Sequence, residues 1–364
     1  MKSQINKLSD LFKILICIIL STNVYSQNDS TFRKEIDEIV ISATSIQKKQ
    51  IVYENSKYYI LDYVLNEQGT FLLVNKLQKY YVYSLDSNMN LQSKLLLDFH
   101  PKSFFEDCFD QINILAKDSI YRLEKFENNL IIKESHSISL YYNFLKRCID
   151  HNSNALIFKD FEENGEQLVY SQLNNITNKY SKIYTVQDSL SARYDRELKE
   201  YMAKKIGYKD DISELNTAEL NKIRNDFEET NFYNQILNIP SYDPLFVLND
   251  TIYIFDHLND KIILYNNKFQ KISNFPISYH KNKKWKKEIY LDKEKGLFYS
   301  VNIVNGINIF NLLNLKENKI ESKTSITKDI YPKKLKVYNG YIYYLYKENV
   351  DANLNKLYRV KIHS

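Results

Sequence analysis

Six short, strongly apolar, β-rich runs recur along the chain at near-equal steps. They are Phe71-Leu72-Leu73-Val74, Ile112-Asn113-Ile114-Leu115, Ala155-Leu156-Ile157-Phe158, Ile252-Tyr253-Ile254-Phe255, Leu297-Phe298-Tyr299-Ser300 and Tyr341-Ile342-Tyr343-Tyr344. Each is followed by a polar turn and a second β-rich run, as at Tyr80-Tyr81-Val82-Tyr83 or Ile307-Asn308-Ile309-Phe310, and usually by a third, more polar one, as at Lys94-Leu95-Leu96-Leu97. With Leu72, Ile112, Ala155, Ile252, Leu297 and Tyr341 as markers, the steps are 40, 43, 97, 45 and 44 residues. Four of them match the roughly 40–50 residues of one four-stranded propeller blade. A sandwich or two smaller β domains would also show short strands and regular turns, but equal spacing favours copies of one meander stacked about an axis. The 31 Tyr and 19 Phe, against 6 Gly and 5 Pro, fit strands rather than helices.

The 97-residue step hides an insertion of different period. Leu190, Tyr194, Leu198, Tyr201, Met202 and Ile206 recur at helical spacing, and Gly207 is placed to end that helix. A second helix starts near Thr217 and carries Leu220, Ile223 and Phe227 on one face. The spacing therefore predicts a helical hairpin over residues 189–236. The sixth unit reaches Ser364 after its third strand, one outer strand short, while Glu38-Ile39-Val40-Ile41-Ser42 has no blade of its own. Residues 37–44 are thus expected to complete the last blade and remove an exposed edge. The fold expected is an all-β, six-bladed β-propeller over residues 27–364, closed by an N-terminal strand and carrying a helical-hairpin insertion.

The N-terminus carries Lys2, Lys7 and Lys13, the apolar run Ile14-Leu15-Ile16-Cys17-Ile18-Ile19-Leu20, and then Val24-Tyr25-Ser26. This is the pattern of a secretory signal peptide over residues 1–26, cleaved after Ser26. The apolar core is far short of the roughly 20 residues that span a bilayer, and the bulky Ile16 before Cys17 does not suit lipoprotein cleavage. The expected location is periplasmic or secreted, with no transmembrane segment after cleavage. Removing three Lys and one Asp takes the net charge from +5 to +3, a mild balance that calls for no polyanion, and export argues against nucleic acid. Cys108 and Cys148 then remain, in a compartment that permits pairing. At equivalent positions of neighbouring blades they would sit too far apart for a bridge, so a disulfide and two buried thiols both stay open.

The stretches Asp107-Cys108-Phe109-Asp110-Gln111-Ile112-Asn113-Ile114-Leu115, Cys148-Ile149-Asp150-His151-Asn152 and the run from Tyr242 to Asp256 read as blade starts. Through them the chain resembles exported bacterial six-bladed propellers of the NHL- and TolB-like class, a likeness of fold from which little function transfers. Separately, Asp37-Glu38-Ile39-Val40-Ile41-Ser42-Ala43-Thr44 is similar to the acidic-then-β run that precedes the plug of TonB-dependent outer-membrane receptors. That resemblance implies a partner in a TonB-dependent receptor system.

No G-x-S-x-G elbow, H-E-x-x-H or C-x-x-C motif is present, and no cofactor or metal site is expected. The six His residues share no helix-turn spacing, although a propeller axis draws residues from distant positions. Asp107, Asp110, Asp150, His151 and Asp243 stand near strand starts, where they either line the channel and bind a metal or a sugar or, the more common role for Asp, cap turns. Trp285 lies in the cationic stretch His280-Lys281-Asn282-Lys283-Lys284-Trp285-Lys286-Lys287. Such a loop either holds an anionic glycan or headgroup or is a solvated loop with one packed ring. Two functional readings follow. One is a non-catalytic extracytoplasmic binding or scaffold propeller for a protein or glycan at the cell envelope, and the other a metal-assisted hydrolase or lyase with its site at the channel.

Overall fold

A computed structural model of the chain describes residues 49–55, 57–161, 168–187, 218, 221–222, 242–348 and 356–363. The segments expected to form the signal peptide and the 37–44 strand lie outside the described residues. So does the 189–236 insertion, apart from Ala218, Asn221 and Lys222, which are helical.

The described strands form six four-stranded antiparallel sheets. Blade 1 runs outward from the axis as β2 (Tyr59–Asn66), β3 (Gly69–Lys76), β4 (Lys79–Leu85) and β5 (Leu91–Leu97). Blade 2 is β6 (Ser103–Glu106), β7 (Ile112–Leu115), β8 (Ser119–Phe126) and β9 (Asn129–Ser137), and blade 3 is β10 (Cys148–His151), β11 (Ala155–Phe161), β12 (Leu168–Asn174) and β13 (Tyr180–Val186). Blade 4 comprises β14 (Leu245–Leu248), β15 (Thr251–Asp256), β16 (Lys261–Tyr265) and β17 (Lys271–Pro276). Blade 5 comprises β18 (Trp285–Asp292), β19 (Leu297–Val304), β20 (Ile307–Asn314) and β21 (Lys319–Ser325). Blade 6 is β22 (Lys333–Tyr338), β23 (Tyr341–Leu345), β24 (Lys356–Lys361) and, from the other end of the chain, β1 (Gln50–Glu54).

A six-bladed propeller is therefore the fold, and an N-terminal strand closes it. Among the described residues the strand that closes it is Gln50–Glu54: Gln50 pairs with Arg359 and Glu54 with Lys356. As an outermost strand with only Val52 buried, it has a weak apolar signal. The six apolar runs are the second strand of each blade, flanked on both sides by other strands and by both neighbouring blades. The more polar run thought to be third is the exposed outer strand, as in β5 and β21.

Every junction between neighbouring blades has its own apolar cluster, and this closes the ring. Phe71, Leu73, Ile114 and Leu123 join blades 1 and 2; Ile157, Tyr170, Ile252 and Ile254 join blades 3 and 4; Phe255, Ile262 and Phe298 join blades 4 and 5. Strand alternation lets one run serve two junctions. Tyr343 packs toward blade 1 and Tyr344 toward blade 5, and Leu72 and Leu73 divide in the same way. The junction between blades 2 and 3 has the smallest cluster, Cys108, Cys148 and Phe158. That junction carries a disulfide between Cys108 and Cys148, with Cα atoms 5.6 Å apart. The two cysteines are not at equivalent positions: Cys108 lies in the β6–β7 turn and Cys148 begins the innermost strand of the next blade, which removes the distance objection.

Hairpins form despite the scarcity of Gly because Asn and Asp accept left-handed backbone at two-residue turns. Asn249-Asp250 and Asn339-Gly340 both have two positive φ angles, as does Asn305-Gly306. At Gly306 a Cβ atom would stand 2.9 Å from the Tyr331 ring, so that turn needs Gly for space as well.

Candidate functional site

The innermost strands β2, β6, β10, β14, β18 and β22 surround the axis, and several are bulged where polar side chains interrupt them. In β2 the register shifts between Ile60 and Asp62, and in β10 between Cys148 and Asp150. The two bulges do the same work. Asp62 accepts the N–H of Tyr63 at 3.0 Å and, across the blade junction, the N–H of Phe104 at 2.9 Å. Asp150 accepts the N–H of His151 at 2.9 Å and that of Val247, in blade 4, at 3.0 Å. Each carboxylate thus ties one innermost strand to the next, which satisfies backbone donors that a bulge would leave unpaired.

Near the turns that join first and second strands, charged groups from several blades converge. Lys293, in the β18–β19 turn, lies with its Nζ 3.2 Å from Oδ1 of Asp110, in the β6–β7 turn. Blades 5 and 2 face each other across a six-membered ring, so this contact spans the axis. His151 Nδ1 is 4.0 Å from the other Asp110 oxygen and has no hydrogen-bond partner. Burial raises the Asp150 pKa, against the pull of Lys293 and the two N–H donors. Burial also raises that of Glu106, opposed by Lys336 and Lys293. The Glu106 side chain itself is exposed. Burial lowers the Lys336 pKa, with Glu106 and Asp62 acting the other way. For Lys293 burial is outweighed by Asp150, Asp110 and Glu106, and its pKa rises.

The residues singled out from sequence thus divide. Asp110, Asp150 and His151 come together at the channel. Asp107 is a turn cap: its Oδ1 accepts from Phe109 and Gln111 N–H and its Oδ2 from Asn113 Nδ2. Asp243 is fully buried and its Oδ1 accepts the N–H of His257, again a structural role. Trp285 belongs to a separate aromatic cluster at the opposite ends of the strands, with its ring 4.6 Å from His257 and 6.1 Å from Tyr242. There His257 is held neutral: burial lowers its pKa to about 4, and its Nε2 lies 2.8 Å from the Tyr279 hydroxyl. The cationic stretch around Trp285 is partly neutralised, with Lys281 2.7 Å from Asp260 and Lys286 2.9 Å from Glu288.

Glu106, Lys293, Lys334 and Lys336 were not singled out from sequence. For Lys334 and Lys336 the signal was the charge itself, since three of the six residues of β22 are Lys. Among the described residues no three His, Cys, Asp or Glu side chains are grouped to hold a metal ion. No helix among them is long and apolar enough to cross a membrane.

No protein-family model matches the chain, and no curated protein matches it. Among solved structures it is similar to virginiamycin B lyase of Staphylococcus aureus, at 9% identity over 87% of this chain and 99% of that one, with a TM-score of 0.38. It is also similar to the calcium-binding protein regucalcin of Agrobacterium tumefaciens, at 9% identity over 87% of this chain and 96% of that one (TM-score 0.39). A luciferin-regenerating enzyme gives 9% identity over 87% of this chain and 98% of that one, with a TM-score of 0.35.

Proposed function

We propose that the chain is a non-catalytic binding or scaffold propeller that acts outside the cytoplasm and engages a protein or glycan partner at the cell envelope. The observation that carries this reading is the Lys293–Asp110 contact across the axis. It spans the channel near the first turns, and Asp62 and Asp150 beside it are committed to backbone N–H groups. Carboxylates held this way organise a surface rather than stand free to transfer protons. Export rests on the N-terminal pattern, and the likeness of residues 37–44 to a receptor-associated run makes a TonB-dependent receptor system the first partner to try. The test is crosslinking and affinity capture of the full chain from envelope fractions, together with a glycan array. Recovery of one partner that Lys293→Ala or Asp110→Ala weakens supports the reading, and repeated recovery of none counts against it. Cleavage after Ser26 is checked by N-terminal sequencing of the exported protein.

A second reading, a hydrolase or lyase with its site at the channel and metal assistance, has one observation of its own. Raised carboxyl pKa values at Glu106 and Asp150, next to a lowered one at Lys336, are the perturbed groups that acid–base sites display. Turnover of ester, lactone or glycoside probes that Glu106→Gln abolishes would favour it over binding alone.

A further inference from the structure

At the channel end near the first turns, most of the charged groups are accounted for. Asp110 is paired with Lys293. Asp62 accepts two backbone N–H groups and lies 3.4 Å from Lys334 Nζ. Asp150 accepts two backbone N–H groups. Two opposite charges there lack a direct partner. The side chains of Glu106, on β6, and Lys336, on β22, make no hydrogen bond and no ion pair within 4.0 Å. Lys336 has the Tyr63 ring beside it, 5.4 Å from its Nζ. The two side chains belong to blades 2 and 6, on either side of blade 1, and they feel each other's charge without touching.

We propose that Glu106 and Lys336 form the two poles of a binding site for a small zwitterion, a free amino acid or short peptide whose ammonium meets Glu106 and whose carboxylate meets Lys336. This deepens the binding reading above and rests on it. The ligand class follows from the charges around the gap. A simple anion drawn to Lys336 would face Glu106 and Asp62, and a simple cation drawn to Glu106 would face Lys336 and Lys293. A molecule bearing both charges in the right order meets a partner at each end, and buried ionic groups gain most when each charge is matched. Burial already disfavours both charges in the free protein, raising the Glu106 pKa and lowering that of Lys336, and a matching zwitterion would relieve both.

The test is isothermal titration calorimetry of the full chain with glycylglycine, alongside acetate and methylamine as its two halves and glucose as a neutral polar control. The expected result is binding of glycylglycine and none of the other three. Glu106→Gln and Lys336→Met should each weaken it by about tenfold or more, the loss of a charge-assisted contact. The exchanged pair Glu106→Lys with Lys336→Glu should restore binding to within about threefold, because the site then reads the zwitterion in reverse. Circular dichroism melts establish that each variant folds. Should Lys336→Met fail to fold, the nearly isosteric Glu106→Gln carries the test. No heat with glycylglycine, equal binding of acetate, binding of glucose alone, or indifference to both substitutions overturns the proposal. If the zwitterion fails while crosslinking to an envelope partner persists, the site is wrong and the wider binding reading stands; if both fail, that reading falls too.

Discussion

Lys293 and Asp110 are 183 positions apart in sequence and 3.2 Å apart in space, joined across the axis from facing blades. The pair belongs to turns rather than strands, so neither residue is fixed by a ladder of backbone hydrogen bonds. What holds Lys293 there is a field of three carboxyl groups, Asp150, Asp110 and Glu106, strong enough to raise its pKa despite burial.

Lys293→Met should therefore have a pH-dependent effect. The pair is surface-like, with the two side chains 54% and 62% exposed, so its direct loss costs only about 0.2–1 kcal/mol. The larger consequence falls on Asp150 and Glu106, whose raised pKa values would rise further without the cation. An acid with a raised folded-state pKa destabilises the fold once ionised, and protonation relieves it. The deficit in urea melts should thus be fullest at neutral pH and shrink as pH falls through those raised values. A deficit that stays constant with pH would show that Lys293 does not act on these carboxyls.

The Cys108–Cys148 disulfide spans the junction with the smallest apolar cluster. Closing a 40-residue loop stabilises a fold by about 2–4 kcal/mol in the chain-entropy description. Replacing both cysteines by Ala should lower the unfolding free energy by that amount in guanidinium titrations. Added reductant should reproduce the loss in the unmodified chain and do nothing further to the variant.

His257 predicts acid sensitivity at the junction of blades 4 and 5. Its folded-state pKa of about 4 lies below the unfolded value of 6.5. Neutral His257 thus contributes stability that is present above pH 6.5 and lost as pH falls toward 4, about 3 kcal/mol in all. His257→Phe should flatten this part of the stability–pH curve. An unchanged slope in the variant would assign the acid loss to other groups.

Blade number and ring closure were legible because second strands are buried on both faces and read as uniform apolar runs; Leu72, Ile254 and Tyr344 are fully buried. Two first strands, β18 and β22, were illegible for the opposite reason. They border a polar channel, so β22 reads Lys-Lys-Leu-Lys-Val-Tyr and β18 begins in a Lys-rich stretch, and both resemble loops. Glu106, Lys293 and Lys336 were missed with them. Asp107 bonds to N–H groups of its own turn, whereas the Asp243 carboxylate accepts the N–H of His257, 14 residues on. For Asp110, Asp150 and His151 only the third dimension brings blades 2 and 3 to one place.

The Asp62 latch offers a test of how the innermost strands are held. Its carboxylate is buried and serves N–H groups on two blades. Asp62→Ala leaves both donors without an acceptor and should cost about 2–4 kcal/mol. Asp62→Asn keeps an acceptor oxygen and should cost less. Hydrogen exchange adds a local readout: the Phe104 amide should lose protection in the Ala variant ahead of amides in blade 4.

Ring closure itself is testable by truncation. The edge of β24 is covered by Gln50–Glu54, with Arg359 Nε also bonded to Gln50 Oε1 at 2.8 Å, and Lys49 is anchored beside it to Asp329 at 2.6 Å. A chain beginning at Lys48 keeps every one of these contacts and should melt as cooperatively as the full chain. A chain beginning at Asn55 loses them all, exposes the backbone donors and acceptors of β24, and uncovers Val52's place in the blade 6–blade 1 cluster. An open edge next to an apolar seam is a template for pairing with another copy. The shorter chain should therefore melt earlier and form concentration-dependent oligomers in sedimentation experiments. Adding a peptide of residues 48–55 in trans should suppress both effects, because the strand's own register, not its covalent attachment, supplies the missing pairing. Equal behaviour of the two truncations would mean that the propeller does not need β1 to close.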